Sequence, residues 1–333
     1  MDPLTQGAIG AALPQSVSSK NVLWLIGLLG FLSGMAPDLD IFIRSKENPL
    51  LFLDYHRQFT HSLIFIPFGG FICATVFYWL IGKRNKLTFK ETWIYCTIGY
   101  ATHGLLDTCT SYGTMLLWPF SNERITWNNI SIIDPLFTMP ILGLIVAASK
   151  TSKRIYSTIA VIWAISYLSL GLYLNNKVIK IGEKIAEDRG HKFLRINAKP
   201  SFGNLIVWKI IYETEDKFYI DAVRVGPKQK IFTGESIRKV NLKKSFPWLK
   251  DTSQQAKDIE KFKWFSDDYI AINPFNKNQI IDIRYSQFPN KVGGLWGIEL
   301  SKEKNDNEHI KWYSARPNPA ETWKIINSMI YKN

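Results

Sequence analysis

Four stretches of this sequence are apolar over about the length needed to cross a hydrocarbon core, roughly 20 residues at 1.5 Å of rise each. They are residues 62–81, 92–109, 132–148 and 155–174. A shorter apolar run, 22–36, ends at Pro37, where the missing N–H and the charges that follow interrupt a helix. It is read as a fifth crossing. The opening stretch 4–13 is small and apolar but short for a span, so it is read as a sixth, re-entrant or tilted helix paired with the next through the polar turn SVSSKN.

Short basic loops set the orientation of such a bundle, because Lys and Arg are retained in the cytoplasm. KRNKLTFK, with Lys83, Arg84, Lys86 and Lys90, and KTSKR, with Lys150, Lys153 and Arg154, lie two segments apart and so on one side. Both are expected to be cytoplasmic. Parity then puts the loops 38–60 and 111–131, and everything after Leu174, outside.

From residue 176 the solvent changes. The runs LIVWKIIY, KFYIDAVRV, YIAINPF, QIIDIRY, GLWGIEL and HIKWYSA are β-branched and aromatic and are separated by turn residues, which predicts antiparallel sheet. DTSQQAKDIEKF predicts one helix. The fold expected is therefore an α-helical transmembrane bundle of five or six helices over 1–175, followed by a soluble, mainly β, extracytoplasmic domain over 176–333.

The net charge of +13 divides as +3 through Asn175 and +10 beyond it. A basic domain tethered beside a bilayer is attracted to anionic headgroups, so membrane lipids are the expected partner. No nucleic-acid motif accompanies the charge, and no nucleic-acid partner is expected. Cys73, Cys96 and Cys109 all lie in apolar segments, so no disulfide framework is implied and cysteine usage leaves the compartment open. The start, MDPLTQ, lacks the pattern of a cleaved signal peptide and is expected to be retained.

Three of the five histidines fall in the apolar half, all near its outer face. His56 and His61 sit in DYHRQFTHS; His103 and Asp107, four apart in ATHGLLDT, share one helix face. Asp38 and Asp40 in PDLD, and Asp134, come to the same level. His and carboxylate groups together suit zinc or another divalent transition ion, and this many can hold one or two. A bound ion would also explain ionisable groups near hydrocarbon, where uncompensated charge costs several kcal/mol. The chemistry expected is hydrolysis.

Structural roles compete with each of these. Asp134 before Pro135 has the pattern of a helix N-cap. Asp38 and Asp40 suit the first turn of a short interfacial helix. His103 with Asp107 can be a hydrogen-bonded pair, and Arg57 can meet lipid phosphate rather than substrate. Thr60 reads as a cap, Asp54 and Ser62 as loop residues, and His191 and His309 as ordinary surface histidines.

The pieces MDPLTQG, PDLD at 37–40, HRQFTHS at 56–62, HGLLD at 103–107, YGTMLLWPFS at 112–121 and IIDP at 132–135 resemble the YdjM-like, LexA-regulated family of bacterial inner-membrane, metal-dependent hydrolases. The resemblance covers about the first 175 residues. It implies a divalent-metal site formed by Asp38, Asp40, His56, His61, His103 and Asp107, with hydrolysis as the activity. Where many family members carry His, this chain has Gln6, which leaves the role of the N-terminal element open; Gln6 can still orient a ligand from behind.

The function expected is cleavage of a lipid-linked or interfacial phosphate ester at the inner membrane, with Asp40 or Asp107 as general base and Arg57 holding the phosphate. The alternative is a non-catalytic envelope protein with a structural metal ion and a partner-binding soluble domain. A transporter fits less well, since its site belongs at the midplane.

Overall fold

The computed structural model describes residues 1–315 and 318–331. Helices come first: α1 (Pro3–Val17), α2 (Leu23–Met35), the short α3 (Leu51–Tyr55), α4 (Ile66–Phe77), α5 (Phe89–Thr108), α6 (Pro135–Thr151) and α7 (Ile155–Asp188). The chain divides into two compact units. The first comprises Met1–Phe42, Tyr55–Leu174 and Phe202–Leu205; the second comprises Ile43–Asp54, Asn175–Ser201 and the chain from Ile206 onward.

Among the described residues, three helical stretches are long and apolar enough to cross a membrane: Leu23–Phe42, Leu63–Asn85 and Ile155–Asp188. The helix Pro135–Thr151 is apolar but shorter. α5 is long enough, yet it is not among the three, since polar and charged residues lower its hydropathy; of these Thr92, Thr102, His103 and Asp107 are buried. The helix starts follow local chemistry. Asp2 caps α1 by accepting from Thr5 N, Thr88 and Glu91 close a capping box on α5, and Asp134 caps α6 with Pro135 in the first turn. Past Met35 the backbone continues as a 3₁₀ helix through Phe42 and carries Asp38 and Asp40.

The core of the first unit joins Leu25, Ile26 and Leu29 to Ala74, Cys96 and Tyr100. Here α1, α2 and α5 meet backbone to backbone. A Cβ on Gly30 would lie 2.2 Å from the Gly10 carbonyl oxygen, and one on Gly99 would lie 2.6 Å from the Gly30 oxygen, so no larger residue fits at either position.

The second unit holds two antiparallel sheets. One has the order β1 (Arg195–Pro200), β2 (Val207–Glu213), β3 (Lys217–Arg224), β4 (Lys230–Arg238); the other runs β5 (Ile270–Asn273), β6 (Asn276–Asp282), β7 (Trp296–Glu299), β8 (Lys311–Ser314). Helices α8 (Leu242–Ser245), α9 (Gln254–Phe265) and α10 (Pro319–Tyr331) accompany them. Ile211, Phe218 and Ile220 pack with Ala271, Ile281 and Ile283 to form the core. Among these apolar side chains lies a charged exception. Lys199 and Lys209 are register partners across β1 and β2, and both are buried. Lys209 Nζ donates to Ser286 Oγ at 2.6 Å, and burial, opposed by the charges of Asp282 and Glu235, pushes the amine down to about 7.

All six strands expected from sequence are present, and two more were missed. β1 and β4 are the edges of their sheet, and they carry Pro200, Gly234 and many charged residues, the composition that blunts edges and hides strands from a hydrophobicity reading. α7 runs on to Asp188, past the end of its apolar run, because Val178, Ile185 and Ala186 bury one side of the polar extension.

Candidate metal centre

Four short-range events build the site. The 3₁₀ helix after α2 presents Asp38 and Asp40, the segment after α3 presents His56 and Arg57, the turn Phe59–His61 presents His61, and the last turns of α5 present His103 and Asp107. α5 passes so close to that turn that a Cβ on Gly104 would lie 2.2 Å from the His61 carbonyl oxygen. This glycine lets the two imidazoles meet, with Nε2 to Nε2 at 2.9 Å.

The outer nitrogens of both rings are fixed. His103 Nδ1 lies 2.6 Å from the carbonyl oxygen of Gly34, which can only accept, so Nδ1 donates. Thr60 Oγ1 gives its hydrogen to Asp40 Oδ2 at 2.7 Å and so accepts from His61 Nδ1 at 2.9 Å. With both rings neutral, the two Nε2 lone pairs face each other. Asp38 Oδ1 stands 3.5 and 3.4 Å from them, and Asp107 Oδ2 stands 3.4 and 3.8 Å from them. In that state the four converging atoms are all acceptors, and either a proton on His61 or a metal cation completes the arrangement. Asp107 Oδ2 is buried and accepts no aligned hydrogen bond among the described residues, although Arg57 Nε lies 2.9 Å away.

Among the described residues, the groups that could hold an ion form two sets, each with its candidate ligand atoms within 4.8 Å of one another: Asp38, His61, His103 and Asp107, and Asp38, Asp40 and His56. Asp40 Oδ1 meets His56 Nδ1 at 2.7 Å, and its Oδ2 accepts from Arg57 N at 3.1 Å as well as from Thr60. Burial is the main influence on His56 and lowers its pKa, with Asp40 pulling the other way. For His61, which precedes the apolar helix, burial also disfavours the charged ring, but the carboxylates of Asp107, Asp38 and Asp40 outweigh it and push the pKa up to about 10. A divalent ion would take the place of that proton.

Arg57 is buried, donates from Nη1 to Thr110 Oγ1 at 3.0 Å and lies over the ring of Tyr112. Its backbone is left-handed (φ 64°), a conformation held by its own N–H on Asp40 and by Met115 N donating to its carbonyl. Gln6 Nε2 donates to Asp107 Oδ1 at 2.9 Å, and the amino group of Met1 contacts the same oxygen. Gln6 therefore supports the carboxylate of Asp107, a candidate ligand, from behind.

Asp134 lies outside both sets. One oxygen caps α6 and the other accepts from Tyr167 at 2.8 Å, so the structural reading holds for it. Asp54 pairs with Lys261 in the second unit. Thr60 is no cap. It is the link between Asp40 and His61, a role that only its place beside His61 in HRQFTHS signals in the sequence.

The family model for the YdjM inner membrane protein matches residues 1–178, more than half of the chain and all of the site. The chain belongs to the YdjM inner membrane protein family. Among individual proteins, the uncharacterized protein YfhP of Bacillus subtilis strain 168 is 24% identical over 212 residues, 63% of this chain and 62% of YfhP. The inner membrane protein YbcI of Escherichia coli strain K12 is 28% identical over 134 residues, 39% of this chain and 75% of YbcI. The chain thus spans less than two thirds of the length of YfhP. No solved structure matches it significantly. The YdjM match ends within α7 and leaves both sheets outside it.

Proposed function

We propose that this YdjM family member is a multi-pass inner-membrane metallohydrolase that cleaves a lipid-linked or interfacial phosphate ester. The observation that supports it is the convergence of two imidazole Nε2 atoms and the carboxylates of Asp38 and Asp107 in one buried cluster. Zinc suits this mixture of nitrogen and oxygen ligands. Bound there, it would lower the pKa of water and polarise a phosphoryl oxygen.

The chain's own residues supply the rest. A carboxylate of the cluster, Asp40 or Asp107, takes the proton released from water. Arg57, beside Asp107, adds a fixed positive charge toward a phosphate. Thr60 and the Gly34 carbonyl hold the two imidazoles with their Nε2 atoms inward. In this reading all six helices of the first unit enter the bilayer, the loops at 83–90 and 150–154 face the cytoplasm, and the β-rich unit lies outside, where its net charge draws it to anionic lipid.

One observation favours the alternative of a structural ion. The side chains of His61, His103 and Asp107 are wholly enclosed, as in sites closed by protein ligands. Purified protein in detergent, loaded with zinc or manganese, should release phosphate from lipid phosphate esters. His61→Ala should lose both metal and turnover, whereas His191→Ala and His309→Ala should keep both. A fully loaded protein that releases phosphate from none of these esters would leave the structural reading in place.

A further inference from the structure

We propose that the centre holds two unequal ions: an inner, sealed one among Asp38, His61, His103 and Asp107, and an outer, accessible one among Asp38, Asp40 and His56, with the Asp38 carboxylate shared. The inference rests on the metal reading above and adds a division of roles to it.

Three observations carry it. First, the six donors fall into two sets that have only Asp38 in common, and a carboxylate has an oxygen for each. A single zinc site of the closed kind uses four protein ligands, which the inner set supplies by itself.

Second, the sets differ in exposure. The His61, His103 and Asp107 side chains are at 0%. In the outer set His56 is 15% exposed and Asp40 0%, and the shared Asp38 is 25% exposed, so the opening lies between Asp38 and His56. Structural ions are closed in by four protein ligands, whereas catalytic ions have three and an open position. The inner set matches the first description and the outer set the second.

Third, the side-chain charges separate the two cases. One divalent ion and Arg57 together just balance the carboxylates of Asp38, Asp40 and Asp107. A second ion leaves a surplus of two positive charges beside the exposed edge of Asp38, the complement of a phosphate monoester dianion. In the outer set the ion would replace the proton now between Asp40 Oδ1 and His56 Nδ1, while Asp40 Oδ2 stays bound to Arg57 N and Thr60.

The inner ion joins α5 to the 3₁₀ helix after α2 and to the turn at His61, so it should stabilise the fold. The outer one, held by three ligands at the edge, is the weaker and should add less. The test is a graded chelator titration of the full chain in detergent, after loading with zinc, with bound metal and melting temperature read at each step. The expected result is two zinc ions per chain, the first leaving with a small fall in melting temperature and the second with a distinctly larger one. His56→Ala should hold one ion and melt only slightly below the wild type. His103→Ala should lose the inner ion and melt lower; if that variant does not fold, the wild-type titration still decides.

Saturation at one ion, loss of both ions together with a single shift, or two ions retained in His56→Ala would each overturn the two-ion proposal while leaving a metal centre in place. A chain that binds no zinc at all would overturn the metal reading with it.

Discussion

Replacing Thr60 with valine removes one hydroxyl and keeps the branched shape, so it isolates the link between Asp40 and His61. In the wild type that hydroxyl donates to Asp40 Oδ2 at 2.7 Å and accepts from His61 Nδ1 at 2.9 Å. Without it, Asp40 Oδ2 keeps the Arg57 N–H at 3.1 Å, but His61 Nδ1 is left with Asp40 Oδ2 at 3.3 Å as its nearest acceptor. The ring loses the contact that fixes its tautomer and its angle toward His103. Removing a group of this kind from behind a metal ligand lowers metal affinity by about 10–100-fold, which corresponds to roughly 1.4–2.8 kcal/mol. A charge-assisted hydrogen bond to a carboxylate lies in the same range, about 1.5–3 kcal/mol. The assay is competition for zinc against a chromophoric chelator, using purified protein in detergent, with Thr60→Ser as the control that retains the oxygen. Thr60→Val should bind more weakly by that factor, and Thr60→Ser should stay within a few-fold of wild type. Equal affinity in Thr60→Val, or equal loss in both variants, would refute the idea that Thr60 orients His61.

Gly104→Ala places a methyl carbon 2.2 Å from the His61 carbonyl oxygen; it should cost roughly 1–3 kcal/mol of stability and lower bound metal, and a variant with wild-type melting temperature and metal content would contradict this close approach. Stability should also depend on pH through Lys209. Its amine titrates near 7 when folded, below the ordinary 10.5, so the unfolded chain binds more protons between those values and stability rises with pH across that window, by at most about 1.4 kcal/mol per unit. Lys209→Met should flatten the rise measured by denaturant unfolding, and a slope unchanged by the substitution would count against the buried charge. For topology, a reporter active only outside the cytoplasm and fused to the end of the chain should be active; a silent one, alongside an active cytoplasmic reporter at the same point, would reverse the orientation.

The sequence alone determined the division into an apolar helical half and a strand-rich basic half, because hydrophobic length and alternation are local properties. It also marked the six candidate ligands, since His and Asp in apolar surroundings are costly enough to stand out one by one. Thr60 did not stand out, as a threonine at a turn has an ordinary reading and its importance lies in the atoms on either side. Nor did the burial of Arg57, because a basic residue in an interfacial loop looks exposed until Asp107 and Thr110 are folded against it. Edge strands β1 and β4 and the polar end of α7 were hidden for the same reason: their residues follow from what packs beside them rather than from their own hydrophobicity. Only the tertiary structure decided which of the candidate ligands come together. Asp38 and His103 are 65 positions apart in the sequence, and they meet because α5 carries glycine where it passes α2 and again where it passes the His61 turn, allowing backbones to approach within the reach of one imidazole.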